Sequence, residues 1–239
     1  HLNFLISHTL AEMGEAGLKP VKEALADSGT NIYTRYFLLK ALETNERAPW
    51  EEVDSRKLKE AISTDIRQSY YHLYLIMTIS SFNHKRATLL LEETLKEENK
   101  KARANVLTCL KIMDGYSQRM ELVSMNIHHP DDFVRGQALE VLENITEPSI
   151  AIPLIGLLEE KELPEEMSFW WKKFGFPCLT ASEAVAELLK AGHNWLRAVA
   201  IFSIGELKLS EFKEKITGLL RDSDSLIRAN AQEALGKMG

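Results

Sequence analysis

The chain has 239 residues, of which 45% are hydrophobic and 27% charged, a composition typical of a folded globular protein. Its formal net charge of −6 disfavours a general nucleic-acid binder, because phosphate contacts require clustered lysine and arginine. Two cysteines cannot form a disulfide framework, so the composition suits a reducing compartment and we predict a cytoplasmic location.

An arginine followed by apolar residues three and seven positions later recurs along the chain. The arginines are Arg35, Arg67, Arg103, Arg135, Arg197 and Arg228. They lie 32, 36, 32, 62 and 31 residues apart, and the longest step corresponds to two repeats. A period of roughly 20 to 50 residues is the signature of a repeat array, in which one small structural unit stacks on the next.

The residue four positions before each arginine predicts where its helix begins. Five of the six residues there are short polar types that cap helix N termini, namely Asn31, Ser63, Asn99, Asp131 and Asp224, while His193 is the sixth. Apolar residues at offsets of three and seven fall on one face of an α-helix. Each repeat therefore contains an amphipathic helix with arginine near its start, called here an arginine helix.

A second helix is predicted between successive arginine helices. In chain order the candidates are Lys19–Ala26, Glu51–Ile62, Lys85–Lys96, Ser117–Asn126, Ile150–Leu158, Ser182–Lys190 and Ser210–Leu220. A single helical hairpin cannot bury its apolar face alone, so the hairpins must stack. The predicted fold class is an all-α solenoid of about seven hairpins.

The repeat register predicts one continuous solenoid over residues 1–239, with two atypical places. Extrapolation towards the N terminus puts another copy at Asn3, so the chain opens inside a repeat and we expect a segment excised from a longer protein. Truncation or processing is the alternative. The copy expected near Glu166 lacks both cap and arginine, which predicts an irregular repeat at about 159–178.

Two stretches, Asp131–Leu142 and Asp224–Gly236, resemble the second helix of the HEAT-like repeat family of the PBS-lyase type. The resemblance implies that second helices line a concave surface and that Asp and Arg side chains of neighbouring repeats form a polar ladder. Its members here would be the six arginines together with Asp131 and Asp224.

A narrower resemblance covers Gly136–Ile145, Pro153–Glu159 and Asn194–Leu207. These stretches are similar to the soluble HEAT segment of bacterial membrane proteins related to ATP/ADP translocases. The resemblance implies a transporter-like membrane domain before the segment and a cyclic-nucleotide-binding domain after it. The longest uncharged run, 68–84, has 17 residues and falls short of the roughly 20 needed to span a bilayer.

No residue pattern predicts catalysis, a cofactor or a resident metal. The sequence His128-His129-Pro130-Asp131-Asp132 has metal-ligand types, but its proline and capping aspartate favour a turn between helices. Cys109 lies in the apolar register of its helix, and spacing implies no base beside Cys178. The enzymatic alternative, a HEAT-like DNA glycosylase or bilin lyase, is disfavoured by the acidic balance and by the lack of a catalytic cluster.

An aromatic segment, Ser168–Pro177, stands where the repeat becomes irregular. Large aromatic side chains serve as anchors in protein interfaces, although here they can also fill the gap left by the irregular repeat. The candidate partner-binding residues are Trp170, Trp171, Lys172, Lys173 and Phe174, together with Tyr71 and His72.

These patterns predict a non-catalytic protein-interaction or regulatory scaffold that presents a concave helical surface. Its partner would be another protein or a neighbouring domain of the same parent chain. The alternative function is a soluble coupling domain between a nucleotide-transporter-like membrane domain and a cyclic-nucleotide-binding domain.

Overall fold

The computed structural model describes residues 9, 12–13, 15–25, 27, 30–43, 54–82, 85–115, 117–159 and 164–239, and within them the regular structure is helical, with no strand. The α-helices are α1 (Glu15–Leu25), α2 (Ile32–Glu43), α3 (Ser55–Ile79), α4 (Lys85–Met113), α5 (Gln118–Asn126), α6 (Asp132–Ile145), α7 (Pro148–Leu158), α8 (Pro164–Lys173), α9 (Ala181–Glu187), α10 (Asn194–Glu206), α11 (Lys213–Gly218) and α12 (Ser225–Met238). The predicted all-α solenoid class is confirmed. The copy predicted at Asn3 lies outside the described residues.

The chain divides into two compact units. The first unit contains His1–Tyr70 and Lys100–Trp170, and the second contains Tyr71–Asn99 and Trp171–Gly239. The boundaries fall inside α3 and α4, so neither unit is one continuous stretch of chain.

Helical hairpins in the second unit follow the predicted pattern. Helix α9 and the 3-10 turn Leu188–Lys190 pack against α10, and α11 packs against α12. The arginine helices α10 and α12 also pack on each other, burying the predicted core positions Ala200, Ile204 and Ala231. Burial of this apolar stripe is what stabilises helices of 13 and 14 residues, because isolated helices of that length are marginal in water.

The first unit contains the hairpins α1–α2 and α5–α6, with α7 packed against α6. Ser117 and Asp131 begin α5 and α6 through side-chain caps, and Ala138 and Leu142 are buried as the offsets predicted. The helix predicted at Ser117–Asn126, between Arg103 and Arg135, is therefore present and begins where expected.

Two predicted hairpins are wrong. The helix predicted at Glu51–Ile62 and the arginine helix of Arg67 are one helix, α3, of 25 residues. Likewise Lys85–Lys96 and the arginine helix of Arg103 are one helix, α4, of 29 residues. Ser63 and Asn99, which were predicted to cap separate helices, lie inside these continuous helices.

Ser63 and Asn99 do not interrupt the two long helices. Ser63 donates its Oγ–H to the Lys59 carbonyl one turn earlier, at 2.9 Å, which keeps the serine inside the helix. Neither α3 nor α4 contains glycine or proline, which would favour an interruption, although the segment 219–224 before α12 also contains neither residue type. A capping residue type alone therefore does not end a helix here.

Candidate interaction surface

The arginines of the second unit tie successive helices together at their N-terminal ends. Arg197 donates from Nη2 to Asp222 Oδ2 at 2.6 Å, from Nη1 to Asn194 Oδ1 at 3.0 Å and from Nε to the Leu189 carbonyl at 3.3 Å. Arg228 donates from Nη1 to the carbonyls of Asp222 and Ser223, at 2.7 and 2.9 Å. Asp222 thus links one repeat to the next.

In the first unit, Arg35 is the most deeply placed of the predicted ladder arginines. Only 1% of its side chain is exposed, and it forms an ion pair with Asp65, whose side chain is equally buried. Its Nη2 also donates to the Thr30 carbonyl at 2.8 Å. Burial raises the pKa of the Asp65 carboxyl, an effect that the adjacent Arg35 guanidinium and Asn105 amide oppose.

The other arginines of the first unit differ in their surroundings. Arg135 pairs with Asp132 of its own helix and donates to the His129 carbonyl at 3.0 Å. Arg103 Nη1 donates to the Leu157 carbonyl at 3.1 Å, and Arg67 is exposed. Four of the arginines share one feature: each donates a hydrogen bond to a carbonyl in the segment before its own helix, where unpaired carbonyls accumulate. These four are Arg35, Arg135, Arg197 and Arg228.

The cap positions hold the helix starts in place. Asp131 Oδ1 accepts from the backbone N–H of Phe133 and Val134, at 2.8 and 3.3 Å. Asp224 accepts from Leu226 N at 2.7 Å through Oδ1 and from Asn194 Nδ2 at 2.5 Å through Oδ2. His193 also caps, because its Nδ1 accepts from Leu196 N at 3.4 Å. Asp131 and Asp224 therefore act first as helix caps.

Trp170 of the aromatic segment packs inside the first unit. Its ring centroid lies 5.3 Å from that of Tyr70, and its side chain is only 8% exposed. Tyr70 in turn donates its hydroxyl to the Pro153 carbonyl at 2.9 Å. A Cβ on Gly156 would lie 2.8 Å from the Tyr70 hydroxyl, so this close approach requires glycine. Trp170 is a packing residue.

The remaining rings of the segment pack around Tyr74 in the second unit. Trp171 meets the Tyr74 ring edge-on at 5.2 Å, and Phe176 lies 5.0 Å from the Tyr71 ring and 6.0 Å from the Tyr74 ring. The Tyr74 hydroxyl donates to the Pro177 carbonyl at 2.7 Å and accepts from Leu179 N at 2.9 Å. These contacts fix the segment's backbone after α8.

The segment nevertheless keeps an exposed side. Lys172 and Lys173 are exposed, and Trp171, Phe174 and Tyr71 are half-buried. These side chains remain accessible to a partner, unlike Trp170.

His72 was predicted to belong to the partner-binding surface, but it is buried, with 3% of its surface exposed. Burial lowers the pKa of His72 to about 4, because the charged imidazolium loses its hydration, while the Glu98 carboxylate opposes the shift. Glu98 Oε2 also lies 3.3 Å from His193 Nε2. Because side chains surround it, His72 serves the interior of the second unit.

The two cysteines differ in accessibility, and Cys178 is the exposed one. Cys109 is buried, and burial raises the pKa of its thiol to about 12, so the thiolate nucleophile does not form at neutral pH. In the part of the chain that the structure describes, no three His, Cys, Asp or Glu side chains are grouped to hold a metal ion. His129 Nδ1 instead accepts from Asp131 N, at 3.1 Å.

A cavity of about 160 Å³ in the first unit is lined by Leu110, Met120 and Ile150 beside Lys59 and Glu147. The Lys59 ammonium forms an ion pair with Glu147. The third charged residue of the lining, Asp114, accepts a hydrogen bond from the Ser117 hydroxyl. The charged groups of this cavity are thus engaged inside the protein.

Over the described helices, none is both long and apolar enough to cross a membrane.

The sequence interpretation missed a set of exposed apolar side chains that share one repeat position. Two residues before the arginine, Phe133, Trp195 and Leu226 are 72%, 53% and 41% exposed. At about 100° per residue, this position lies roughly 140° and 180° from the core offsets on the helical wheel. A wheel of the arginine helices of Arg135, Arg197 and Arg228 would have shown an apolar residue opposite the core face, whereas the helices of Arg67 and Arg103 have Asp65 and Lys101 there.

Trp195 and Leu226 lie on the same side of two helices that run in register. Asn194 hydrogen-bonds Asp224 at the N-terminal ends, and Glu206 pairs with Lys237 near the C-terminal ends. Between them, a Cβ on Gly205 would lie 2.7 Å from the Ala234 Cα, so glycine allows the close helix contact. The three contacting pairs are 29 to 31 residues apart, so Trp195 and Leu226, which are 31 apart, hold matching positions on the two helices.

The family model described as HEAT repeats matches residues 182–239, which contain Trp195 and Leu226. Neither the curated proteins nor the solved structures contain a significant match to the chain. The match, together with the all-helical structure, supports a HEAT-like repeat protein and agrees with the resemblance seen in Asp224–Gly236.

Proposed function

We propose that the chain is a non-catalytic protein-interaction scaffold whose partner contacts the N-terminal ends of the arginine helices. The observation that carries the proposal is the exposure of one large apolar residue at the same position of three of the six arginine repeats, at Phe133, Trp195 and Leu226. We extend the proposal to one continuous solenoid over 1–239, irregular at about 159–178, acting in the cytoplasm on a protein or on a neighbouring domain of its parent chain.

The exposed apolar position is not required for stacking. The stack is stabilised by buried residues about 140° to 180° away on the same helices, such as Ala200, Ile204 and Ala231. Trp195 follows the exposed Asn194 at the start of a helix whose later turns are mostly buried, so its ring is presented at the N-terminal end of α10. Exposed tryptophan is unusual on a surface without a partner, and tryptophan is enriched among interface anchors.

Other predicted site residues enter the proposal in two roles. The six arginines with Asp131 and Asp224 would form the structural ladder that fixes the spacing of the helix ends. The exposed side of the aromatic segment, with Lys172 and Lys173 beside the half-buried Trp171, Phe174 and Tyr71, would be a second contact area for the same or another partner.

A capture experiment tests the proposed surface. The tagged chain is compared with the triple variant Phe133→Ser/Trp195→Ser/Leu226→Ser, and bound proteins are quantified by mass spectrometry. The control is Leu89→Ser/Met125→Ser/Ile152→Ser, which changes residues that are 57%, 72% and 57% exposed at other repeat positions. We expect the first variant to lose its specific partners and the control to retain them. Equal recovery by both variants contradicts the proposal.

A second candidate function is the soluble coupling domain of a nucleotide-transporter-like membrane protein. It is favoured by the resemblance of Asn194–Leu207, which lies within the matched residues 182–239. A parent sequence with about twelve hydrophobic spans, each of roughly 20 residues, before the segment would support it. A parent composed only of repeats would exclude it.

A further inference from the structure

We propose that His193 is a pH-sensitive cap of α10, which positions Trp195 at neutral pH and releases the first turn of the helix when the imidazole is protonated. The inference deepens the proposed function, because it names a regulation of the same contact surface, and its consequence for binding rests on that function. It follows from the atoms that the two ring nitrogens of His193 face.

The cap of α10 differs from those of α6 and α12 in the atom that accepts. His193 Nδ1 accepts from Leu196 N at 3.4 Å, and its backbone is extended, with φ −137° and ψ 148°, as is usual for a cap residue. Asp131 and Asp224 cap α6 and α12 through carboxyl oxygens, which keep acceptor lone pairs whether or not the group is protonated. An imidazole nitrogen that accepts a hydrogen bond loses its lone pair on protonation. Only the imidazole cap is therefore switched off by a proton.

The second ring nitrogen lies beside a buried carboxylate. His193 Nε2 is 3.3 Å from Glu98 Oε2, and the side chains of His193 and Glu98 are 15% and 4% exposed. Because Nδ1 accepts the cap bond, the single proton of the neutral ring is on Nε2, next to this oxygen. A second proton binds at Nδ1 and places an N–H opposite the Leu196 N–H, where two donors cannot bond. The Glu98 carboxylate favours the imidazolium, so protonation proceeds at the expense of the cap.

The neighbouring elements supply one other imidazole, His72 of α3, which interacts electrostatically with both Glu98 and His193. Burial lowers the pKa of His72 to about 4, so this ring stays neutral from about pH 8 to about pH 5. Among the described residues packed at this end of α10, further charged groups have bonds of their own: Lys190 with Glu187, Arg197 with Asp222, and Asp224 with Asn194. Glu98 and His193 are thus the pair whose charge balance changes in this range.

Trp195 lies between the cap and the backbone N–H that the cap holds. Its side chain is 53% exposed, whereas Leu196, the next residue, is buried. The cap bond keeps this first turn helical and so fixes the direction of the Trp195 ring relative to the buried later turns. Without the cap, the first turn has unpaired N–H groups, and an imidazolium at a helix N terminus is repelled by the helix dipole. Loss of the cap therefore frees Trp195 from its fixed position.

The test labels the chain with fluorotryptophan and follows its fluorine NMR resonances from about pH 8 to about pH 5, the range in which histidine ordinarily titrates. The Trp195 resonance, assigned by its loss in Trp195→Phe, should change together with the imidazole resonances of His193. The resonance of Trp170, which is buried in the first unit, should stay constant. Hydrogen exchange of the Leu196 amide, corrected for its intrinsic pH dependence, should become about 2- to 30-fold faster, the factor that corresponds to loss of an N-cap.

Variants separate the cap from other effects of pH. His193→Asn supplies an amide oxygen that caps at every pH, so its Trp195 resonance should no longer respond. His193→Ser provides a second cap if His193→Asn proves unstable in a thermal melt. His129→Asn is the matched control and should respond as the wild type does, because His129 Nδ1 also accepts from a backbone N–H but beside α6. Glu98→Gln should move the response to lower pH, since no carboxylate then favours the imidazolium.

Each outcome decides the inference. It is overturned by a Trp195 resonance or a Leu196 amide that does not respond to pH, and by a response that persists in both His193→Asn and His193→Ser. A parallel change of the Trp170 resonance assigns the response to general unfolding and overturns it too.

Capture of partners distinguishes this inference from the proposed function. Wild-type capture should decrease on acidification, and capture by His193→Asn should not. If the Trp195 resonance responds as expected but the triple variant captures the same proteins as the wild type, the proposed function falls and the pH-sensitive cap stands. If the triple variant loses its partners while the resonance does not respond, the cap falls and the proposed function stands.

Discussion

Arg35 in the first unit and Arg197 in the second occupy the same repeat position, but they have different partners because they are packed differently. Arg35 is 1% exposed and paired with the equally buried Asp65, whereas Arg197 is 20% exposed and shares its donors among Asp222, Asn194 and a carbonyl. Both arginines also bind a carbonyl of the preceding segment. The hydrogen bond to a backbone carbonyl is thus common to both arginines, whereas the acidic partner differs with burial.

Burial decides how much each pair matters to stability. Two buried charges lose their hydration, so removing one partner leaves the other in an environment that penalises it. A partly exposed pair keeps some hydration and its energy is reduced by solvent screening. We therefore expect the first unit to depend strongly on its arginine and the second unit to depend more on the fit between its helices.

The largest effect is expected for Arg35→Met. This change leaves the buried Asp65 without its cation and should lower the free energy of unfolding by about 3–5 kcal/mol. The double variant Arg35→Met/Asp65→Leu should recover most of the loss, because no buried charge remains. Chemical denaturation followed by circular dichroism measures both. Arg67→Met, at an exposed arginine of the same repeat position, is the control and should change stability by less than about 1 kcal/mol, because solvent screens the interactions of an exposed charge.

The loss in free energy of unfolding caused by Arg35→Met should also depend on pH. Burial already raises the pKa of Asp65, and loss of the guanidinium removes the main influence that lowers it. A carboxyl whose pKa is higher in the folded state binds its proton more tightly there, so protonation increases the free energy of unfolding. This stabilisation is complete below the unfolded pKa of about 3.9 and is lost as pH rises through the folded pKa. The stability difference from the wild type should therefore shrink as pH falls from 7 towards about 4. A difference that stays constant would contradict the assignment.

A smaller but still large effect is expected for Gly205→Ala in the second unit. The new Cβ would lie 2.7 Å from the Ala234 Cα, so α10 and α12 must move apart, at a cost of about 1–3 kcal/mol. Gly136→Ala in α6 is the matched control, because a Cβ there meets nothing within 4 Å. It should stabilise by about 0.5–1 kcal/mol, since alanine restricts the unfolded chain and favours helix. Thermal melts of both variants test this prediction, which is wrong if the two melting temperatures shift in the same direction.

The sequence predicted the helical repeat because period, caps and apolar offsets are local properties. Asn31, Asp131 and Asp224 all sit beside helices that begin where expected. Ser63 and Asn99 have equally suitable residue types, but they lie inside the continuous helices α3 and α4. Glycine and proline alone do not distinguish these positions, because Asp224 begins α12 although 219–224 contains neither residue type.

Burial of individual side chains was harder to predict. Tyr70, Tyr71 and His72 are adjacent in sequence, yet Tyr70 and His72 are buried and Tyr71 is half-buried. Their exposure depends on contacts made by residues 80 or more positions away, such as Pro153 for Tyr70. Trp195 was available from the helical wheel, but the matching position of Leu226 is recognisable only once the two helices are known to pack in register.

The smallest effect is expected for Asp222→Asn, which tests the partly exposed pair of the second unit. The pKa of Asp222 is lowered by the hydrogen bond from the Asp224 backbone N–H and by Arg197. Such a carboxylate contributes stability above its unfolded pKa of about 3.9, and the contribution is lost as pH falls through the folded pKa. The wild type should therefore lose more stability than Asp222→Asn between pH 7 and pH 3, while Glu211→Gln, an exposed control, should follow the wild type. Asparagine retains one oxygen, which can accept from Asp224 N, while its amide NH2 cannot accept from Arg197, so this change removes the Arg197 ion pair and keeps the backbone hydrogen bond. If Asp222→Asn and the wild type have parallel pH profiles, the Arg197–Asp222 ion pair adds nothing to the stability of the stack.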